Sequence, residues 1–245
     1  MKCALVCIAR DEDRYIDEWI QYHLKLGFDN IFVFCDKWKY TGEHYTGVRV
    51  FNIKIEGVPP QIPTYNFALS SFGDKYDWIA FFDVDEFLVL KKHASIHEFL
   101  ADKRDSIGVN WKLFGDNGLT EDDGSMGVLN RFTKCQSTPN HHVKAIVKCN
   151  IEDEMATPHN PNHLWLGSDG IFHEGPFCYN GNTDEAQLNH YFCKTRTEFK
   201  LKQDRGGADG YYRRPDSDFD RHNFNEVEDF SARDFLYPKN LEKHD

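Results

Sequence analysis

Residues 1–90 alternate between two hydrophobic periods, and that alternation decides the fold class. Cys3–Ala9 is an apolar run of strand length; Ile16, Trp19, Ile20, His23, Leu24 and Leu26 then recur at helical spacing and stop at Gly27, a natural helix end. Residues 31–34 form the next strand, residues 48–55 alternate with β-branched side chains, and Pro59, Pro60 and Pro63 break that run. A helical pattern over 65–72 leads into a strand over 78–82. Strand, helix, strand, strand, helix, strand predicts an α/β chain with a mostly parallel central sheet flanked by helices.

Beyond residue 90 the rhythm loosens. A short helix at 96–100 and strands at 107–114 and 143–149 are separated by Gly/Asp-rich sequence over 115–127, and 157–182 reads as one long ordered loop. Residues 198–205 are helical, and 211–245 form a charged tail, helical or wrapping, with scattered Phe and Tyr. The expected organisation is one domain over 1–210, with 211–245 packed on it or extending it. Hydrophobic residues make up 40% of the 245, enough for a core and unlike a disordered chain. The net charge of −11 argues against coating nucleic acid or an anionic membrane, both of which need clustered Lys/Arg. Seven cysteines with no CxxC pair suggest reduced thiols and a cytoplasmic protein rather than a disulfide framework or zinc site. No apolar run reaches spanning length, so any membrane contact would be peripheral, at the inner face.

Residues 78–90 carry the chemistry. Asp83, Asp85 and Glu86 interrupt an otherwise apolar run, and a buried unpaired carboxylate costs several kcal/mol, so a counter-charge must meet them. In an extended chain Asp83 and Asp85 project to one side, at the carboxyl end of a strand where α/β sheets bind ligands. Two carboxylates on one face suit Mg²⁺ or Mn²⁺, which completes its shell with water and phosphate oxygens. The plainer alternative is a capping turn or ion pairs with Lys91 and Lys92.

Several blocks in order carry a resemblance. Asp83-Val84-Asp85-Glu86-Phe87 resembles the Asp-x-Asp strand of GT-A glycosyltransferases, in the bacterial and viral family-2-like group related to glycosyltransferase family 92. Arg10-Asp11-Glu12 with Glu18-Trp19-Ile20-Gln21-Tyr22-His23 and Leu26-Gly27 resembles that group's opening. Trp111-Lys112-Leu113-Phe114-Gly115-Asp116-Asn117-Gly118 resembles its Trp-x-x-Phe-Gly loop, and Asn189-His190-Tyr191 with Lys194, Glu198, Lys202 and Arg205-Gly206 resembles its ending.

The resemblance implies a GT-A (Rossmann-like) domain in which Ala9, Arg10 and Asp11 meet the base or ribose and His190 joins Asp83 and Asp85 on the metal. Asp11 stands where the group usually has Asn. The bland reading of the first loop is a helix N-cap with favourable acids in its first turn. Asp36 is a second ribose candidate or a turn residue, and Lys144, Lys194, Lys202 and Arg205 are local positive charges for a diphosphate or simply solvated. Lys194, four residues past His190, is a candidate stabiliser of the leaving group. Asp116 is the first choice for the acceptor's base, against a Gly-Asp-Asn-Gly turn, and Trp111, Trp165 and Tyr179 are acceptor-stacking candidates or core.

The expectation is a glycosyltransferase dependent on Mn²⁺ or Mg²⁺. It would move a sugar from a nucleotide diphosphate donor, a UDP-sugar, to a hydroxyl of a glycan or lipid-linked acceptor, with inversion, in surface polysaccharide synthesis. Another metal-dependent nucleotidyl or phosphoryl transferase, or a non-catalytic carbohydrate-binding module, remains open.

Overall fold

A computed structural model describes residues 1–149, 153–208, 210 and 213–238. The elements in chain order are β1 (Cys3–Ala9), α1 (Ile16–Lys25), β2 (Asn30–Asp36), β3 (Val48–Ile53), α2 (Gln61–Phe72), β4 (Trp78–Phe81), β5 (Glu86–Leu90) and α3 (Ile96–Leu100). They continue as β6 (Ile107–Leu113), β7 (Lys134–Cys135), β8 (Val143–Lys148), β9 (Trp165–Leu166), β10 (Phe172–His173) and β11 (Ala186–His190). The chain closes with α4 (Arg196–Arg205), α5 (Ser217–His222), β12 (Val227–Glu228) and α6 (Ser231–Leu236).

The large sheet runs β10-β9-β6-β8-β4-β1-β2-β3, with β11 bridging β5 and β6 off that path. Its first-built half is parallel: β3, β2, β1 and β4 pair in one direction, as the alternating pattern requires. The other half makes the sheet mixed, since parallel pairings of β6 with β9 and β11 stand beside antiparallel ones. β8 runs antiparallel to both β4 and β6, and β11 antiparallel to β5. Parallel neighbours need a crossover of a dozen or more residues, usually a helix, and the described chain from β6 to β11 contains no helix, so β8 reverses between β6 and β4.

α1 packs on the apolar face of this sheet and positions β5. It buries Ile16, Trp19, Ile20, Tyr22 and His23, and Gly27 at φ +102° turns the chain away after its end. Trp19 Nε1 donates to the Glu86 carbonyl at 2.8 Å and Tyr22 OH to the Leu88 carbonyl at 2.8 Å. His23, pushed down to about 3 by burial, stays neutral; its Nδ1 donates to the Trp19 carbonyl and its Nε2 accepts from Leu88 N–H. α2 begins at Gln61, earlier than expected. Pro63 lies in its first turn, where backbone N–H groups have no helical partner, so proline does not break it.

The late segments wrap back over the first. β12 pairs with β7, α6 packs on α1 and β5, and Phe219 and Ala232 are buried. Of the expected tail, residues 211–212 and 239–245 lie outside the described residues. No helix among the described residues is long and apolar enough to cross a membrane, and all seven cysteines are unpaired.

Glu198 ties α4 to the rest. It closes a capping box with Thr195, accepts a two-pronged hydrogen bond from Arg131 at 2.7 and 2.8 Å, and accepts from Tyr15 OH at 2.7 Å. Burial would push its carboxyl up, but Arg131, Tyr15 and Thr195 draw it down to about 2. A folded value below the unfolded one means this stabilisation is complete above the unfolded value, about 4.3, and is lost as pH falls toward 2. Glu198→Ala is therefore expected to lose roughly 3 kcal/mol in urea unfolding at pH 7, because Arg131 is left buried without its main partner. The gap from wild type should shrink as the titration is carried from pH 5 toward 2; a gap independent of pH would contradict the assignment.

Candidate active site

The parallel half of the sheet ends in a cleft of about 270 Å³. Ile8 and Ala9 at the end of β1, Asp36 at the end of β2 and Asp83, Val84 and Asp85 after β4 line it, where parallel strands expose their carboxyl ends. Helix α4 and the Gly206–Ala208 stretch after it form the opposite contribution, with Lys202, Arg205 and Arg214.

Asp83 and Asp85 do not lie in a strand, as the apolar run implied, whereas Glu86 opens β5. They occupy the tight connection between β4 and β5, where the Asp83 N–H donates to Glu86 Oε2 at 2.8 Å. Both carboxylates still line the cleft, each with a different counter-charge. Asp83 Oδ2 accepts from Lys144 Nζ at 2.8 Å, while Oδ1 accepts from Gln61 Nε2 at 3.0 Å and Tyr65 OH at 3.3 Å. Asp85 Oδ2 accepts from Lys202 Nζ at 2.7 Å, with Lys194 Nζ at 3.7 Å, and its Oδ1 faces His190 Nε2 at 3.5 Å.

Strand register explains how His190 arrives. β11 pairs antiparallel with β5 so that His190 lies opposite Glu86, and Tyr191 N–H donates to the Asp85 carbonyl at 2.8 Å. Residues more than a hundred positions apart are thereby fixed side by side.

Burial alone would raise both aspartates, but Lys144 holds Asp83 below the usual carboxylate range, and Lys202, Lys194 and His190 hold Asp85 well below it. Glu86 is the reverse: fully buried, it is pushed well above the ordinary range despite Lys144 at 3.5 Å. Burial lowers His190 to about 4 against the pull of Asp85, so its imidazole is neutral.

At the β1–β2 side Arg10 pairs with the Asp36 carboxylate and donates to the Arg205 carbonyl at 3.2 Å. Arg205 in return donates to the Arg10 carbonyl and meets Glu12 Oε1, both at 2.6 Å. The lining thus carries four carboxylates, Glu12, Asp36, Asp83 and Asp85, against Arg10, Lys202, Arg205 and Arg214. The chain is strongly acidic overall, yet this cleft is not. Three buried polar atoms of its walls, Asp36 Oδ1, Trp111 Nε1 and His190 Nδ1, have no hydrogen-bond partner among the described residues.

Of the residues singled out in the sequence, Ala9, Arg10, Asp36, Asp83, Asp85, Trp111, His190, Lys202 and Arg205 come together here. Asp11 does not: it is exposed at φ +53°, and its neighbour Glu12 enters the wall instead. Lys144 and Lys194 stand behind the two aspartates rather than in the lining, with Lys194 Nζ over the Tyr15 ring at 4.6 Å. Asp116 is outside the cleft, where its carboxylate accepts from Asn223, Asn225 and the Gly118 N–H, the turn reading of that loop. Trp165 is fully buried against Gly108, where a Cβ would come within 2.3 Å of the indole, so it is core. Gln61, Tyr65, His142 and His159 went unnoticed as site residues. Gln61 and Tyr65, four apart on one helix face, carried the only local signal.

The model of glycosyltransferase family 92 matches residues 61–204, more than half of the chain. The chain belongs to glycosyltransferase family 92. The matched stretch holds Asp83, Asp85, His190 and Lys202, while Arg10, Glu12, Asp36 and Arg205 lie outside it. The family 92 chain also has a distant likeness to the crystal structure of S. aureus TarS, at 18% identity and a TM-score of 0.34, over 50% of this chain and 23% of TarS. That likeness is too slight to bear on the site, and a search of curated proteins returns no match.

The pairing of Asp85 with Lys202 has a direct test. In Lys202→Ala the Asp85 carboxyl is expected to rise by roughly one unit or more, read from its carbon chemical shift against pH. An unchanged midpoint would show that Lys194 and His190 hold Asp85 without Lys202.

Proposed function

We propose that this family 92 chain transfers a sugar from a nucleotide diphosphate donor, a UDP-sugar, to a hydroxyl of a glycan or lipid-linked acceptor, with inversion and with the help of a divalent cation. One observation carries the proposal: Asp83, Asp85 and His190 converge at the carboxyl end of a parallel sheet, beside Lys202, Arg205 and Arg10. The first group suits a cation and the second a diphosphate, and nucleotide sugars bring both needs to one place.

The donor types suit the cation, with Asp85 and His190 as its close pair. Two ionised carboxylates and a neutral imidazole match Mn²⁺ better than Mg²⁺, because nitrogen is the softer donor. The 3.5 Å between Asp85 Oδ1 and His190 Nε2 is close to the roughly 3 Å separating neighbouring ligands of an octahedral ion. When bound there, the cation supplies Lewis-acid stabilisation of the departing diphosphate. The remaining work belongs to the chain. Lys202 and Arg205 stabilise developing negative charge on the diphosphate, and Asp36 Oδ1, unpartnered beside Arg10, is an acceptor for a ribose hydroxyl. Trp111, 8% exposed in the wall, offers an apolar edge to a sugar. Every cleft carboxylate is matched with a cation, which favours direct displacement over a covalent sugar intermediate.

The parallel β3-β2-β1-β4 half with the acid turn after β4 supports a GT-A arrangement over 1–210, onto which residues 213–238 fold. Seven unpaired thiols support action in the cytoplasm, on intermediates of surface polysaccharide synthesis.

UDP with Mn²⁺ is expected to raise the melting temperature, since a ligand selective for the folded state stabilises it by mass action, and EDTA should abolish the shift. Asp85→Asn should lose at least 100-fold in nucleoside diphosphate release from a UDP-sugar. Full release in that variant under chelation would refute the proposal, and pyrophosphate or a nucleoside monophosphate as product would favour nucleotidyl or phosphoryl transfer.

A further inference from the structure

Sugar transfer to a hydroxyl requires a group to take the hydroxyl proton, and the cleft carboxylates are already engaged. Arg205 meets Glu12, Arg10 meets Asp36, Lys144 meets Asp83 and Lys202 meets Asp85. Asp116 is held by two asparagines outside the cleft. The wall around Trp111 is different. His142 lies in the lining, with its ring stacked on Trp111 at 5.0 Å and 20°. Its Nδ1 is 2.8 Å from Asn140 Oδ1. The His142 backbone N–H also donates to that oxygen at 3.0 Å, which fixes the amide as the acceptor. Nδ1 therefore carries the ring proton, and Nε2 keeps its lone pair with no hydrogen bond among the described residues.

The surroundings keep it so. Burial and the facing His141, His190 and His222 rings hold His142 down to about 4, so it is neutral at physiological pH with the basicity of an ordinary carboxylate. His159 faces it at 5.8 Å, and Trp111 and Phe177 close the remaining sides. Outward from the cleft the stack continues: His141 lies on His142 at 4.8 Å, and Tyr179, 72% exposed, lies on His141 at 5.1 Å and 20°. His142 is thus the ring at which an aromatic track from the open surface enters the cleft. His159 shares the free Nε2, since its Nδ1 donates to the Val143 carbonyl at 2.9 Å, but its ring contacts among the described residues are Trp111 and His142, not the His141–Tyr179 stack.

We infer that His142 is the catalytic residue that accepts the proton of the acceptor hydroxyl, and that the Tyr179–His141 stack is the approach along which the acceptor reaches it. The inference rests on the sugar-transfer reading above. As the acceptor oxygen bonds to the anomeric carbon, the bond from that carbon to the diphosphate oxygen breaks and its electron pair leaves with the nucleoside diphosphate. The acceptor proton moves to His142 Nε2, and the imidazolium returns it to solvent after release.

The test uses the full chain with Mn²⁺, UDP as the binding probe, and release of UDP from a UDP-sugar as the rate. His142→Gln keeps a neutral acceptor of similar size that cannot take the proton; kcat is expected to fall 10²- to 10⁴-fold with UDP affinity within about twofold of wild type. In His142→Ala, added imidazole should restore part of the rate, and the rescue should grow with basicity across substituted imidazoles, which a merely structural role would not produce. A kcat within about threefold of wild type, a parallel loss of UDP affinity, or the absence of rescue would overturn the role of His142 while leaving sugar transfer intact. A wild-type chain that binds UDP with Mn²⁺ but releases none from any UDP-sugar would overturn the transfer reading and this inference with it.

Discussion

Asp83 and Asp85 sit in an apolar turn only because ammonium groups from distant parts of the chain reach them. Lys144 comes from β8, 61 residues on, and Lys202 from α4, 117 residues on. A buried carboxylate without such a partner costs several kcal/mol, so the acid turn makes the docking of β8 and α4 a condition of the fold rather than an addition to it. The antiparallel insertion of β8 between β4 and β6 brings Lys144 into place, and Glu198 with Arg131 anchors the helix that carries Lys202. The binding cleft and the long-range closure of the domain are consequences of the same two charge pairs.

What could be read in advance follows from what is local. The parallel half of the sheet was legible because strand and helix periods alternate within a few turns of chain, and the need for cations near Asp83 and Asp85 followed from their place in an apolar run. The mixed half was not, because β8 and β11 find their partners across about 30 to 100 residues and carry no period that states a direction. Reading Asp83 and Asp85 as extended chain at the end of the 78–82 strand failed for a related reason. Phe82 and Val84 kept the run apolar while the Asp83 N–H found a side-chain acceptor in Glu86, a hydrogen bond that favours a turn. Glu12 and Asp11 could not be told apart, since the positive φ at residue 11 decides which faces inward. Asp116 looked free in sequence because Asn223 and Asn225, its partners, are more than a hundred residues away.

The cleft is divided along the chain. Asp83, Asp85, His142, His190 and Lys202 fall within the stretch shared with family 92, while Arg10, Glu12 and Asp36 come from the first sixty residues, outside the match. Arg205, one residue past the match, meets the first segment in a reciprocal contact with Arg10, in which each guanidinium donates to the other's carbonyl. Two lengths of chain can therefore vary separately in sequence while one pair of backbone carbonyls keeps them in register.

The lysines on Asp83 and Asp85 have one more consequence. Because the carboxylates are neutralised by the chain's own side chains, their mutual repulsion is relieved before any ion or nucleotide arrives. Under the proposed sugar transfer the polypeptide would reach its final shape before any ion arrives, and ion and donor would enter a cleft already formed. The ammonium of Lys202, once such a cation took over its partner, would be left beside the donor's phosphates.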